Sequence, residues 1–255
     1  MKTLETLLTE TSEKIFTITL NREKNLNALS SLVLEELEYA LNSVRSDPAV
    51  SVIVIKSKGR AFSSGYELGG DNWVTSQYPG NADPIDLQAD RRDIHELVDS
   101  GAGELLAVCD LAIVSDRARF GHPAACDLGI PPSIMFWPIL IGLRKTKELL
   151  LTSKLIDAHE ALSIGLVNEV VPHDELEARV QAVAAKVAKA PSDNSILLKS
   201  ISNTWFENMG MQQSIRTGAD IDAIYHQNRS YTDFFKTVEE EGVKAAFAKR
   251  ARLYS

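Results

Sequence analysis

The 255-residue sequence predicts an α/β fold whose C-terminal part is helical. Two observations predict it. Two short β-branched runs, residues 14–20 (KIFTITL) and 50–57 (VSVIVIKS), flank an amphipathic stretch. Strand, helix, strand in that order is the mark of a crossover between parallel strands. Beyond Asp174, four helical patterns follow with no strand among them. The chain therefore divides into an α/β core over residues 1–173 and a helical region over 174–255.

Each element has its own warrant. Residues 14–20 are β-branched and aromatic, which suits a pleated surface. Ser30 offers an N-cap, and Val33, Leu34, Leu37, Leu41 and Val44 recur at helical spacing up to Ser46. Asp47-Pro48 closes that helix. The run 50–57 reads as a strand covered on both faces. Residues 69–83 are rich in Gly, Asn, Ser and Pro and read as a loop, and 86–100 as a polar helix. A short strand over 111–115, helices over 144–151 and 158–164, and a turn plus strand over 165–172 complete the core. The helical patterns that follow cover 175–190, 193–208, 211–227 and 231–250.

Composition excludes several classes. The chain is 44% hydrophobic and 24% charged, as in ordinary globular proteins. A net charge of −8 and a pI near 5.2 argue against broad nucleic-acid binding, which needs a positive surface to displace counterions. Anionic small molecules need only a few well-placed cations. Cys109 and Cys126 form no disulfide framework and read as buried free thiols in a reducing compartment. The acidic start lacks a signal-peptide core, and the greasiest stretch, 134–143, is interrupted by Pro138. No run approaches the ~20 apolar residues of a membrane helix. A soluble, cytoplasmic protein without a membrane partner is the expectation.

The common nucleotide and nucleophile fingerprints are missing: no GxGxxG, no GxxxxGK[ST] and no GxSxG occurs. The five histidines never pair at metal-ligand spacing, so no metal is expected. Two glycine-containing turns carry more information. One is Gly59-Arg-Ala-Phe-Ser-Ser-Gly-Tyr-Glu-Leu68, after the second strand; the other is Gly101-Ala-Gly-Glu-Leu-Leu-Ala-Val-Cys-Asp110. In the second, glycine opens an apolar helical stretch with Glu104 one turn in. A helix N-terminus exposes unpaired N–H groups that stabilise an oxyanion, and an adjacent glutamate moves protons. Taken singly, each turn has a plainer reading, as a tight turn with Glu104 facing the helix dipole.

Taken together with their surroundings, these turns resemble the crotonase, or enoyl-CoA hydratase/isomerase, superfamily. The likeness runs through Ile18-Thr-Leu-Asn-Arg22, Leu26-Asn-Ala-Leu29, Asp47-Pro-Ala-Val50 and Ala61-Phe-Ser-Ser-Gly-Tyr-Glu-Leu68, similar to the family's AFxAGxDL. It resumes with GAGELLAVCDLAI, Ala118-Arg-Phe-Gly121, Leu128-Gly-Ile-Pro-Pro132, Leu149-Leu-Leu-Thr152, Asp157-Ala158, Glu160-Ala161 and Gly165-Leu-Val-Asn168. It covers essentially the whole chain.

The resemblance implies a crotonase-like spiral of β-β-α repeats with a helical C-terminal trimerisation region. It implies an acyl-CoA thioester substrate, with coenzyme A entering only as part of that substrate and no separate cofactor. The enolate is held by two backbone amides, which correspond to Tyr66 and Gly101. The Tyr66 side chain narrows the acyl pocket or packs in the core. The first of two family glutamates corresponds to Glu104. The second follows Phe-Gly-x-Pro, but here Phe120-Gly-His-Pro123 is followed by Ala124. Asp127 and His122 are the residues placed to substitute; a loop cap and a pocket wall are their plainer roles. The expected activity is enoyl-CoA hydration within fatty acid metabolism. Isomerisation, hydrolysis, or CoA binding with little catalysis are the alternatives that Ala124 leaves open.

Coenzyme A contacts correspond to the loop Arg22-Glu-Lys-Asn-Leu-Asn-Ala28, where Arg22, Lys24, Leu26 and Ala28 face the adenine and phosphates; Lys249 is a further phosphate candidate. Solvated surface is the plain alternative for both lysines. The family assembles trimers or hexamers, with apolar runs around 205–211 and 234–247 as interface or ordinary core. One stretch is missing from the pattern. Where the family has a helix end, a buried strand and a turn, Glu96-Leu-Val-Asp-Ser100 runs directly into Gly101. A core without that strand has unpaired edges and a void, so residues dropped from the sequence are the expectation.

Overall fold

The structure, a computed structural model, describes residues 3–65, 67, 105–122 and 136–252. The expected loop 69–83, the helix 86–100, the junction at Ser100 and Gly101, and Cys126 lie outside the described residues.

The chain starts with β1 (Leu7–Ser12) and β2 (Ile15–Leu20), followed by α1 (Ser31–Val44) and β3 (Val52–Ser57). β1 pairs antiparallel with β2, and β2 pairs parallel with β3, Ile15 standing opposite Val52 and Leu20 opposite Ser57. The crossover read from the sequence is therefore present, with α1 as its helix. All six residues of β2 are buried, as the middle position of the sheet requires. β1 escaped the sequence reading because it buries Leu7 alone and exposes its other five residues. A strand that buries one side chain has no hydrophobic alternation to detect.

Ser30 caps α1 as expected, its side chain accepting from the Val33 amide at 3.4 Å. The helix buries Val33, Leu37 and Ala40, and with them Glu36, which is 1% exposed. That carboxylate accepts from the Glu5 amide (2.8 Å), the Thr6 amide (2.9 Å) and the Thr6 hydroxyl (2.6 Å). It thereby ties the helix to the residues leading into β1, and those donors make its burial tolerable.

Next come α2 (Leu105–Val108), β4 (Ile113–Ser115), β5 (Arg119–Phe120), α3 (Trp137–Leu140), α4 (Leu143–Thr152), β6 (Ile156–Asp157), α5 (Ala158–Ser163) and β7 (Glu169–Val171). β4 pairs parallel with β7, and β5 antiparallel with β6. Trp137, Leu149, Ile156, Ala158, Ala161, Leu166 and Val167 form a buried cluster around them. Asp157 caps α5, accepting from the Glu160 amide at 2.8 Å. Cys109 corrects the sequence reading: it is exposed, its thiol donating to the Leu105 carbonyl at 3.0 Å.

Five helices end the chain: α6 (Leu176–Ala188), α7 (Ser192–Asn208), α8 (Met211–Tyr225), α9 (Arg229–Glu241) and α10 (Val243–Ala251). The single helix read over 231–250 is thus two. Gly242, at φ +88°, ends α9 and starts α10, a conformation that other residues adopt only under strain. Phe234 lies edge-on to both Phe235 and Phe247, which makes that run core packing.

By internal contacts the chain forms two compact units, residues 1–76 with 178–202, and 77–177 with 203–255. In the first, Ala184 and Ala188 of α6 pack on Ile15 and Val54 of the sheet. The second carries the Trp137 cluster.

Candidate functional site

In the first unit the site is a loop knotted onto the chain segment beyond β3. After β2, Glu23–Asn25 make a single 3-10 turn, and Leu26 and Asn27 then adopt left-handed backbone angles (φ 51° and 53°). Asparagine tolerates that region and leucine does not, so something must hold the turn. The Asn27 side chain does. Its Oδ1 accepts from the Arg22 amide at 2.8 Å, and its Nδ2 donates to the carbonyls of Lys58 and Ala61, each at 2.8 Å.

Leu29 continues the connection through its backbone. Its N–H donates to the Gly65 carbonyl at 2.9 Å, and its carbonyl accepts from the Glu67 amide at 3.0 Å. Above this pair, Arg22 spans the two segments. Its Nη1 donates to the Ala28 carbonyl at 2.7 Å, and its Nη2 lies 3.1 and 3.0 Å from the two Glu67 carboxylate oxygens. Asn25 Nδ2 adds a bond to Glu67 Oε1 at 3.0 Å.

The loop brings Arg22, Lys24, Leu26 and Ala28 together in one turn: Lys24 exposed, Leu26 half-buried, Ala28 buried. The Arg22 guanidinium is engaged within the chain. Tyr66, Gly101, Glu104, Ala124 and Asp127 lie outside the described residues. The sequence reading passed over Asn25, Asn27 and Glu67, although Asn27 stands inside one quoted motif and Glu67 inside another. An asparagine between Leu26 and Ala28, just after a strand, was the available signal.

In the second unit, β5 leads into Gly121 and His122. Gly121 has φ +148°, and a Cβ there would lie 2.7 Å from both the Lys154 carbonyl and Leu155 Cδ2. We expect Gly121→Ala to destabilise the fold by about 1–3 kcal/mol, because backbone rather than a flexible side chain must yield. A melting temperature equal to wild type would contradict this close approach.

The His122 Nδ1 is buried without a hydrogen-bond partner among the described residues. Burial pushes its pKa below the ordinary 6.5; a backbone hydrogen bond opposes the shift and the Arg250 charge adds to it. The ring is therefore neutral in the fold and able to accept a proton only at a cost. The sign follows. Its contribution to stability is complete above the unfolded value of 6.5 and is lost as pH falls through the lower folded value. Thermal melts between about pH 8 and 5 should show a shallower acid decline for His122→Gln than for wild type; parallel curves would refute it.

Lys249 sits exposed on α10 and pairs with Glu241. Among the described residues no group of three His, Cys, Asp or Glu is placed to hold a metal ion. No described helix is long and apolar enough to cross a membrane.

Comparison with known proteins defines the class. The family model for enoyl-CoA hydratase/isomerase matches residues 10–77 and 98–250. A Mycobacterium bovis protein named as a probable enoyl-CoA hydratase is 31% identical over 264 residues, spanning 99% of each chain. The short-chain-enoyl-CoA hydratase of Clostridium acetobutylicum is 29% identical over 265 residues, covering 98% of this chain and 97% of that protein. The crystal structure of an enoyl-CoA hydratase/isomerase from Xanthobacter autotrophicus Py2 superposes with a TM-score of 0.86 at 26% identity, covering 99% of this chain and all of that one. The chain belongs to the enoyl-CoA hydratase/isomerase family, with its crotonase-like fold, and is an enzyme of hydratase/isomerase type. The family match passes over residues 78–97, next to the stretch that the sequence pattern lacks.

Proposed function

We propose that the chain hydrates a short enoyl-CoA thioester through an enolate held by the amides of Tyr66 and Gly101, with Glu104 transferring the proton at the α-carbon. Hydration moves charge onto the thioester oxygen, and preset backbone donors meet that charge without reorganisation. The observation that carries the reading is the pair of Leu29 bonds to Gly65 and Glu67, which bracket the residue whose amide is the expected donor. Likeness to a named short-chain hydratase supports the choice of acyl length. Asp127 is the second proton carrier in this reading. Lys24, Leu26, Ala28 and Lys249 meet the coenzyme A moiety, which arrives with the substrate; no other cofactor takes part.

Ala124, where the family has its second glutamate, favours double-bond isomerisation as the second reading, since one carboxylate suffices to shuttle a proton. Crotonyl-CoA and a 3-enoyl-CoA separate the two. Loss of the conjugated enoyl absorbance on crotonyl-CoA supports hydration. Its gain on the 3-enoyl thioester, with crotonyl-CoA untouched, assigns the isomerase.

The reading includes a cytoplasmic homotrimer, or a pair of trimers. α7 buries none of its residues and exposes Ile196, Leu197, Leu198, Ile201 and Trp205, each at least 60% accessible. Apolar exposure on that scale marks an association surface. Light scattering should give the mass of a trimer or hexamer; a monomer at micromolar concentration would refute the assembly.

A further inference from the structure

We propose that Arg22 and Glu67 are positioning residues for the oxyanion donor, acting through the peptide that begins at the Gly65 carbonyl. The inference rests on the proposed function above.

A trans peptide is planar, with its N–H opposite its C=O. Anchoring the Gly65 carbonyl on the Leu29 amide at 2.9 Å therefore fixes one axis of the peptide to which the proposed donor belongs. Two hydrogen bonds to one residue leave that segment free to rock about Leu29. The side chains remove this freedom. Glu67 is bonded through its backbone to Leu29 and through its carboxylate to Arg22, while Arg22 also grips Ala28, the residue before Leu29. The guanidinium thus ties Glu67 to the residue next to Leu29. Asn25 holds the Glu67 carboxylate from the other side, and Asn27 holds the Arg22 backbone.

Magnitudes separate this role from simple stability. The two side chains are 21% and 23% exposed, and one guanidinium nitrogen serves both carboxylate oxygens. A pair still open to solvent, with that single-nitrogen geometry, contributes little to folding. An oxyanion donor displaced by about an ångström costs far more, roughly 10²-fold in rate. The device also accounts for Arg22 differently from a phosphate contact. A phosphate contact acts on KM, whereas a positioning residue acts on kcat.

The test uses crotonyl-CoA kinetics together with the infrared carbonyl stretch of butyryl-CoA, carbon-13 labelled at its thioester carbonyl. Wild type should hydrate crotonyl-CoA and shift the bound stretch to lower frequency. Glu67→Gln should lower kcat by about 10–10²-fold and lose most of that shift, with KM and melting temperature close to wild type. Arg22→Lys, which cannot span Glu67 and Ala28 together, should do the same. Arg22→Lys combined with Glu67→Gln should be no slower than the worse single variant, because the two act as one unit.

Full turnover and a full carbonyl shift in Glu67→Gln would overturn the positioning role while leaving the hydratase reading intact. A rise in KM alone for Arg22→Lys would likewise overturn it in favour of a coenzyme contact. If wild type shows neither hydration nor shift, the hydratase reading falls and the positioning role falls with it.

Discussion

Replacing Glu104 by glutamine is expected to lower crotonyl-CoA turnover by about 10²–10⁴-fold while leaving KM and the melting temperature near wild type. Glutamine keeps the size and the hydrogen-bonding reach of the side chain but can neither take up nor release a proton as an acid–base group. Asp127, proposed as the second proton carrier where the family glutamate is replaced by Ala124, cannot take over the α-carbon proton assigned to Glu104. Steady-state kinetics with a thermal melt on the same sample checks it. A variant that turns over at the wild-type rate removes Glu104 from the chemistry.

The second large effect belongs to Asn27. Asn27→Ala should cost about 3–5 kcal/mol of unfolding free energy, read from urea titration, and raise KM for crotonyl-CoA. The Arg22 amide and the Lys58 and Ala61 carbonyls lose a buried partner together. Each lost bond is worth about 1 kcal/mol, and the groups left unpaired add their desolvation cost. Alanine at φ 53° adds the left-handed penalty of about 1–2 kcal/mol. With the knot gone, Leu26 relaxes out of its strained turn and the loop proposed to meet the coenzyme loses its shape. An unchanged urea midpoint would show that the loop is held by something other than this side chain.

Most of the architecture was legible because its signals are local. The capped helix after Ser30, the parallel pair β2 and β3, and the helices α4 to α8 follow from spacing and caps within a few residues. β1 was not legible, since its warrant is long-range: pairing with β2, and the Glu36 carboxylate thirty residues away. Gly242 was overlooked for the opposite reason, a single local break inside a continuous apolar pattern.

Many motif residues that carried the family resemblance turn out to be structural. Asp157 caps α5, Ala158 and Ala161 are the wholly buried residues of that helix, and Asn168 exchanges bonds with the Ala112 backbone. The candidate site was half legible. The motifs pointed to the loop 22–28 and to the segment ending at Leu68, but the backbone and side-chain bonds that join them cross more than thirty residues. No spacing rule encodes those. Gly101 and Glu104 were legible as a helix opening with a glutamate one turn in, whereas the roles expected of Tyr66 and Asp127 came from the resemblance.

Proton transfer at the α-carbon is the step that decides the role of Glu104. Crotonyl-CoA is incubated with the protein in deuterium oxide, and the product is read by proton NMR at the α-carbon. The account predicts hydration with one deuterium entering at that carbon in wild type, and loss of both in Glu104→Gln. Hydration and deuterium entry that persist unchanged in Glu104→Gln would contradict it.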